Sequence, residues 1–368
     1  MSLPDSVRAD VEALAAMDRA SAREGERASA AWVAERLAAT GAAAVRTQPF
    51  RYSPNWGMSQ AAHMLAASTG RLPALAALVS MELDFSGRAQ PLRRLLPRGE
   101  GANVIASVPA REAATSTVVL VAHHDAANTG LLWRSPFADS GAKPEGRPPM
   151  TLLTELAMAA MALGPRRLRL PARALLALGV GLSLDVYRGA TVPGASDNAT
   201  GVAAVLELAR RLVAEPLAHT EVRLVLTGCE ESGMGGMAAW MADQGGRLDP
   251  ETTLVLGLDT LGAGEPMVCS AEGPLWRVAY RPEDLVLADK GAEAVGESAP
   301  RRFRIGGYTD PALARLAGLP TVSLLSLRGN VFNDYHLPSD TPEHVDWDSV
   351  DRCVKIAEGT VRSWARGR

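Results

Sequence analysis

Apolar residues recur at helical spacing in five segments of the chain. Two such segments open the sequence, and Gly41 is well placed to end the second, since glycine commonly ends a helix. The pattern predicts helices over VRADVEALAAMDRA, ERASAAWVAERLAATG, TGVAAVLELARRLVAE, DPALARLAGLP and WDSVDRCVKIAEGTVRSWARG.

Short runs rich in β-branched and aliphatic residues separate these helices. They predict strands over VRTQPFRYS, ANVIASV, STVVLVAHHD, EVRLVLTGCEE, TTLVLGLDTLG and TVSLLSL. Because strands and helices alternate, we expect an α/β fold, a three-layer α/β/α sandwich whose mostly parallel sheet is covered by helices on both faces.

Residues 54–100 and 126–192 interrupt this alternation, because Pro, Gly and Arg there separate short apolar runs. We interpret both segments as helical insertions in one catalytic domain spanning 1–368. The apolar runs of about 13 to 15 residues are shorter than the roughly 20 that cross a bilayer. They therefore favour a lid, a contact with a second copy, or a contact with a membrane surface over a spanning helix.

Charge and cysteine content exclude several classes of protein. The formal net charge of −3 offers no broad basic surface for nucleic acid. The three cysteines have no C-x-x-C spacing, which indicates neither a disulfide framework nor a thiolate zinc site. The N-terminus lacks the pattern of a secretory signal, which makes a cytoplasmic location the default expectation, with export or membrane association left open.

Polar residues that suit metal binding stand at the ends of the predicted strands, where ligands of open α/β sheets gather. They are His123, Asp197, Glu231, Asp259 and His336. Each alone fits a structural role, such as a buried histidine or a turn before a helix. Together, two imidazoles and three carboxylates form a donor set typical of zinc.

A paired metal site requires one carboxylate to bridge two ions, and Asp197 is the candidate because Gly194 and Gly201 flank it. Three carboxylates against two zinc ions would leave one positive charge, which favours a bound hydroxide as the nucleophile. Two adjacent carboxylates in GCEESG would otherwise repel each other. The pair is explained if Glu231 binds metal and Glu230 transfers protons.

The ordered motifs HHD, SDNATG, CEESG, LDTLG and YHLPSDTPEHVD resemble those of the zinc aminopeptidase family, which includes glutamate carboxypeptidases and glutaminyl cyclases. The resemblance implies the zinc-exopeptidase fold with a mixed sheet. It implies that His123, Asp197 and Asp259 hold one zinc ion and Asp197, Glu231 and His336 the other. It also implies Glu230 as general base, Asp125 as the carboxylate that orients His123, and a cis peptide bond after Asp197.

One departure from the family concerns spacing, because His123 and Asp197 are 74 positions apart (197 minus 123) and relatives usually need far fewer. The 126–192 insertion accounts for the difference, and we expect it to overhang the active site. Tyr335, which precedes His336, is a further candidate for lining the pocket. Asp340, four positions after His336, is a candidate for orienting that histidine.

The resulting hypothesis is a dizinc aminopeptidase that acts on peptides. A carboxypeptidase, a one-zinc glutaminyl-cyclase-like acyltransferase and a catalytically silent interaction module are the alternatives. The sequence leaves the preferred side chain, the metal used in the cell and the oligomeric state open.

Overall fold

The computed structural model describes residues 3–134 and 150–367. Within these ranges nine strands form one sheet in the order β1-β2-β4-β3-β5-β9-β6-β7, with β8 beside β6. The strands are β1 (Ala43–Tyr52), β2 (Gly99–Val108), β3 (Ser116–His123), β4 (Thr220–Thr227), β5 (Thr253–Leu258), β6 (Glu265–Glu272), β7 (Val278–Ala279), β8 (Arg301–Arg304) and β9 (Thr321–Leu327).

The centre of the sheet is parallel and its flanks are largely antiparallel. Strands β4, β3, β5 and β9 run in the same direction. Antiparallel pairings join β1 to β2, β2 to β4, β9 to β6 and β6 to β7, while β8 runs parallel to β6. The sheet is therefore mixed. Its parallel strands are the buried runs of β-branched residues and leucine from which a parallel sheet was expected.

Eleven α-helices lie in the described part of the chain. They are α1 (Asp5–Ala15), α2 (Glu24–Ala39), α3 (Gly57–Thr69), α4 (Arg71–Phe85), α5 (Met150–Leu163), α6 (Arg169–Arg188), α7 (Thr200–Ala214), α8 (Gly235–Gln244), α9 (Pro282–Ala294), α10 (Asp310–Leu316) and α11 (Trp347–Arg366).

Alternate side chains of the central strands enter two separate hydrophobic clusters, as the period of two along a strand requires. In β3, Val118 and Leu120 pack with α1, α2, α7 and α11, whereas Val119 and Val121 pack with α8 and α10. Helices thus cover both faces of the sheet, and the predicted α/β/α class is confirmed.

The two insertions contribute four helices that pack against one another. Helices α3 and α4 come from 54–100 and helices α5 and α6 from 126–192. A separate apolar cluster, which includes Met64, Met81 and Met158, joins them. We call these four helices the cap.

Helix α6 is longer than the apolar run that predicted it. It spans 20 residues and begins at Arg169. Pro171 does not interrupt it, because proline in the first turn costs no intrahelical hydrogen bond. Within the described residues, the stretch Arg166–Arg188 has the length and mean hydropathy of a membrane-crossing segment. Length and composition are shared by core helices, and α6 packs on α3 and α5.

Candidate metal centre and active site

The candidate ligands meet at the carboxyl ends of the parallel strands. His123 is the last residue of β3, and Asp259 directly follows β5. Glu231 lies four residues beyond the end of β4, and His336 lies nine residues beyond β9. Asp197 reaches the same edge from the turn that precedes α7. All five side chains are buried or nearly so.

Asp197 lies between the two imidazoles. Its Oδ1 is 3.3 Å from Nε2 of His123, and its Oδ2 is 3.2 Å from Nε2 of His336. The Asp197–Asn198 peptide bond is cis, as the resemblance implied. One carboxylate therefore offers an oxygen to each half of the cluster, which is the arrangement that a bridging ligand needs.

The remaining acids divide between the two histidines. Asp259 Oδ1 lies 3.7 Å from His123 Nε2, while Glu231 Oε2 lies 3.0 Å from His336 Nε2. Glu230 Oε2 is 4.0 Å from His123 Nε2. The geometry gives each imidazole one carboxylate of its own in addition to the shared Asp197.

Several nitrogen and oxygen atoms of this cluster that could bind a metal ion have no hydrogen bond within the described residues. They include both ring nitrogens of His336 and Oε1 of Glu231, all buried. Nε2 of His336 is close to Glu231, but the contact lacks hydrogen-bond geometry. Buried polar atoms usually find partners, so these atoms are suited to bind a ligand such as a metal ion. Atoms of His123, Asp197 and Glu231 also approach one another closely enough to share a metal ion.

The ionisation of the cluster agrees with a cation site. Burial raises the pKa of Glu231 to about 7. Burial disfavours the charged form of His336, but Glu231 and Asp197 outweigh it and raise the pKa of His336 to about 10. Without an ion, protons on the imidazoles must therefore balance the carboxylates. A bound dication would supply that charge instead.

Asp125 supports three members of the site at once. Its side chain is fully buried, and Oδ1 lies 3.5 Å from Nδ1 of His123. Oδ1 accepts a hydrogen bond from the backbone N–H of Glu230 (3.1 Å), and Oδ2 accepts one from that of Glu231 (3.2 Å). Ser21 Oγ donates to Oδ2 at 2.6 Å. Asp125 thus links β3 to the loop that carries both glutamates.

Asp340 does not contact His336, contrary to the suggestion that it orients that ring. Its carboxylate accepts from the backbone N–H groups of Ser196 (2.8 Å) and Asp197 (3.1 Å). Asp340 therefore fixes the turn that presents Asp197. Asp340 follows His336 by four positions in the sequence, and this spacing gives no sign of its contact with the turn at Asp197. The turn comes from a distant part of the chain.

Arg19 is a buried residue near the site that the sequence pattern did not identify. Its guanidinium donates to the backbone carbonyls of His124 (3.0 Å), Pro193 (2.6 Å) and Gly194 (2.8 Å). It therefore ties the segment after His123 to the turn that leads to Asp197. The only sequence signal is its position at the end of the first predicted helix, which ends earlier, at Ala15.

His124, in contrast to its neighbour, is structural. Its Nδ1 lies 2.8 Å from Ser29 Oγ, and its Nε2 lies 2.9 Å from the carbonyl oxygen of Ala102. Burial lowers its pKa to about 4. The ring is therefore neutral and satisfied by hydrogen bonds on the side of the strand away from the candidate ligands.

A cavity of about 190 Å³ opens onto the cluster, between the sheet edge and the cap. Asp197, Glu230, Glu231, Asp259 and His336 line its floor. The cap contributes Gln60, Met64, Phe85, Thr151, Thr154, Gly179, Leu182 and Ser183. Both insertions therefore overhang the candidate site, and the walls they supply combine apolar side chains, such as Met64, Phe85 and Leu182, with polar ones.

Aromatic rings surround His336. Tyr335 stacks on its ring with centroids 3.8 Å apart, and Trp133 meets it edge-on at 4.4 Å. Trp56 packs edge-on against Trp133 at 6.2 Å. His336 also has a positive φ of 55°, a conformation that few non-glycine residues adopt. The rings hold this imidazole in place and form one wall of the cavity.

Comparisons with known proteins agree with this site. Residues 182–361 match the profile of Peptidase family M28. The match confirms the resemblance to the zinc aminopeptidase family and places this region of the chain in that metallopeptidase family. Asp197, Glu230, Glu231, Asp259 and His336 lie within the matched residues, whereas His123 and Asp125 precede them. A search of curated proteins found no match.

Solved structures share the fold at low sequence identity. The aminopeptidase from Aneurinibacillus sp. strain AM-1 is 15% identical, with a TM-score of 0.60 over 97% of this chain and 92% of that chain. Fimbriiglobus ruber glutaminyl cyclase is 14% identical (TM-score 0.60; 99% and 97% covered). Bacteroides thetaiotaomicron glutaminyl cyclase is 15% identical (TM-score 0.58; 97% and 96% covered).

Proposed function

We propose that this protein is a dizinc-dependent exopeptidase that removes the N-terminal residue from peptides. The observation that carries the proposal is the position of Asp197, whose two carboxylate oxygens face the two imidazoles. Glu231 and Asp259 then give each half of the cluster a third ligand. This donor set of nitrogen and oxygen atoms suits zinc.

His123, Asp197 and Asp259 would hold one ion, and Asp197, Glu231 and His336 the other. When bound, the ions supply Lewis-acid chemistry that lowers the pKa of water and polarises the peptide carbonyl. The residues around them supply orientation. Asp125 and Asp340 hold the backbone of the ligand loops, and Tyr335 and Trp133 hold the ring of His336.

Glu230 is the proposed proton carrier. Its carboxylate lines the cavity, close to His123 but outside the closest ligand contacts. Burial raises the pKa of Glu230 well above its usual range in the absence of ions. A dication nearby would restore the carboxylate form, which can take a proton from water and deliver it to the leaving amine.

The charges of the cavity favour a free N-terminus over a free C-terminus. Four carboxylates line the floor, and two bound dications would balance their charge, so the floor would carry no net positive charge to attract a C-terminal carboxylate. Within the described lining, the arginine is Arg93, and it is buried and paired with Asp84 at 2.8 Å. A substrate carboxylate would therefore find no uncommitted arginine or lysine there.

A glutaminyl-cyclase-like acyltransferase is the second candidate, because solved glutaminyl cyclases share the fold as closely as the aminopeptidase does. Two observations favour hydrolysis. Asp259 Oδ1 lies 3.7 Å from His123 Nε2, which supports a second ion between them, and Glu230 Oε2 lies 4.0 Å from the same nitrogen, which supports a role in proton transfer. A silent interaction module would not need this set.

Two substitutions test the assignment. Glu230→Gln should retain the metal and lose about 10²- to 10⁴-fold in kcat, the usual share of a general base. Asp197→Ala should lose metal as well as activity. Asp243→Asn, an exposed acid on α8, is the matched control. Wild-type turnover of Glu230→Gln on an aminoacyl substrate would show that the base assignment is wrong.

A further inference from the structure

We propose that the far end of the cap is a binding surface for anionic lipid membranes. This cap tip comprises residues 68–73 of the α3–α4 hairpin and 162–173 of the α5–α6 hairpin. The inference does not rest on the hydrolytic reaction, because none of these residues lines the cavity.

Two hydrogen bonds bring the hairpins together at the tip. Arg71 Nε donates to the carbonyl oxygen of Ala162 at 2.9 Å, and Arg173 Nε donates to that of Ser68 at 3.0 Å. The end of α3, the start of α4, the end of α5 and the start of α6 therefore meet at one place.

The other end of the cap faces the candidate active site. Cavity-lining residues lie near the start of α5 (Thr151, Thr154), the end of α4 (Phe85) and the second half of α6. Leu163 lies nine positions after Thr154 along α5, which is about 14 Å at about 1.5 Å per residue. The tip thus projects away from the cavity.

The tip exposes large aliphatic side chains. Leu72 is 80% exposed, Leu170 77% and Leu163 71%. Leu168, between the last two in sequence, is 43% exposed. Isolated exposed leucines are ordinary, but four within two adjoining loops form an apolar surface that marks an interaction site.

Arginines surround these leucines, and acids are absent from the tip. The arginines are Arg71, Arg166, Arg167, Arg169 and Arg173. None forms an ion pair within the described residues. The acids of the four cap helices, Glu82, Asp84, Glu155 and Asp185, lie in the half nearer the cavity. The cap is therefore basic and apolar at one end only.

This combination selects an anionic bilayer surface. Leucines enter the boundary between headgroups and acyl chains, while arginines extend to the phosphates, as in interfacial helices. A second copy is a poorer partner, because tip-to-tip pairing would place five arginines against five. Charge complementarity thus decides between the two occupants.

Vesicle co-sedimentation tests the proposal with the full chain. The probes are vesicles of phosphatidylcholine alone and of phosphatidylcholine with about a quarter phosphatidylglycerol, at low and high salt. We expect binding to the anionic vesicles, weak binding to the neutral ones, and loss of binding at high salt. Equal binding to both, or none to either, would overturn the proposal without any variant being needed.

Paired variants locate the surface. Arg166→Gln with Arg167→Gln should lower the partition coefficient about 25-fold, at roughly fivefold for each arginine. Leu72→Gln with Leu163→Gln and Leu170→Gln should lower binding at least as much. The controls are Arg46→Gln with Arg247→Gln, and Leu275→Gln with Val286→Gln, all exposed and outside the cap.

Folding and oligomeric state are monitored in the same preparations. The free energy of unfolding and hydrolysis of a soluble aminoacyl substrate should match wild type in every tip variant, because these side chains face solvent. Unchanged vesicle binding in both tip variants would overturn the proposal. Tip-dependent dimers in sedimentation velocity, without vesicle binding, would identify a second copy as the occupant and also overturn it.

Discussion

Replacement of Asp125 by asparagine offers a sharp test of how the site is built. Each carboxylate oxygen of Asp125 accepts one backbone N–H, from Glu230 at Oδ1 and from Glu231 at Oδ2. An amide has one oxygen and one NH₂ group. Whichever way the amide turns, its NH₂ therefore faces a backbone N–H of a glutamate that the site needs.

The orientation with NH₂ at the Oδ2 position is the less costly one. Ser21 donates to Oδ2 at 2.6 Å, and its hydroxyl can rotate to accept from the amide instead. The N–H of Glu231 then loses its acceptor. One buried unsatisfied N–H costs about 1–3 kcal/mol, so we expect Asp125→Asn to lower the free energy of unfolding by about that amount.

The effect on metal affinity is separate from this cost. The Asp125→Asn substitution removes the negative charge that faces Nδ1 of His123, and the backbone of Glu231 loses its anchor. Removing a partner of a metal-ligating histidine typically costs about 10- to 100-fold in metal affinity. We therefore expect a loss of that size for zinc, and a parallel loss of kcat/KM at limiting zinc.

Two measurements separate the loss of folding stability from the loss of zinc affinity. Guanidinium unfolding of chelator-treated protein gives the structural cost, and zinc titration against a chromophoric chelator gives the affinity. Ser21→Ala is the matched control, because it removes one hydrogen bond to Asp125 and leaves both backbone N–H groups paired. If Asp125→Asn keeps wild-type zinc affinity and wild-type unfolding free energy, the proposed role of Asp125 is wrong.

Three further predictions address the supporting structure. Arg19→Met should lower the free energy of unfolding by about 2–4 kcal/mol and weaken zinc binding about tenfold, because three backbone carbonyls lose their donor. A zinc titration unchanged from wild type would refute the positioning role of Arg19. Gly257→Ala should cost about 1–3 kcal/mol in denaturant unfolding, since its Cβ would overlap the ring of Pro311, whereas Gly246→Ala, with nothing within 4 Å, should be neutral. Trp133→Ala should raise KM about tenfold for peptides with a large apolar N-terminal residue, because the ring forms one wall of the cavity; steady-state kinetics that show an unchanged KM would remove Trp133 from substrate binding.

The sequence predicted the convergence of the candidate ligands because they follow strands that neighbour one another in the sheet. His123, Asp259 and Glu231 each stand at or just beyond the end of a run with strand periodicity. Parallel strands deliver such residues to one edge, so their meeting follows from the fold class alone.

Two of the contacts that support the ligands could not be predicted from the sequence. Asp340 and Arg19 act on the turn before Asp197 across sequence separations of 144 and 175 residues. The first predicted helix is also too long. The helix ends at Ala15, and the chain directly beyond it is not helical, so that Arg19 and Ser21 reach the site. Periodicity describes which face of an element is apolar, and it carries no information on such pairings.

Other gaps have local causes. Strand β6 begins with Glu265 and Pro266 and alternates weakly, so its pattern gave no strand signal. Helix α9 begins with the charged run Pro282-Glu283-Asp284 and was also missed. The two insertions are far apart in sequence, so their union into one cap required the structure. The prediction of a single catalytic domain over 1–368 stays untested.

The metal content of the purified protein, measured by elemental analysis together with peptide hydrolysis before and after chelation, tests the central proposal most directly. We expect about two zinc ions per chain. We also expect chelator-sensitive release of residues from free N-termini, with no cleavage of peptides whose amine is blocked. One zinc ion with cyclisation of N-terminal glutamine, or no metal after reconstitution, would contradict the proposal.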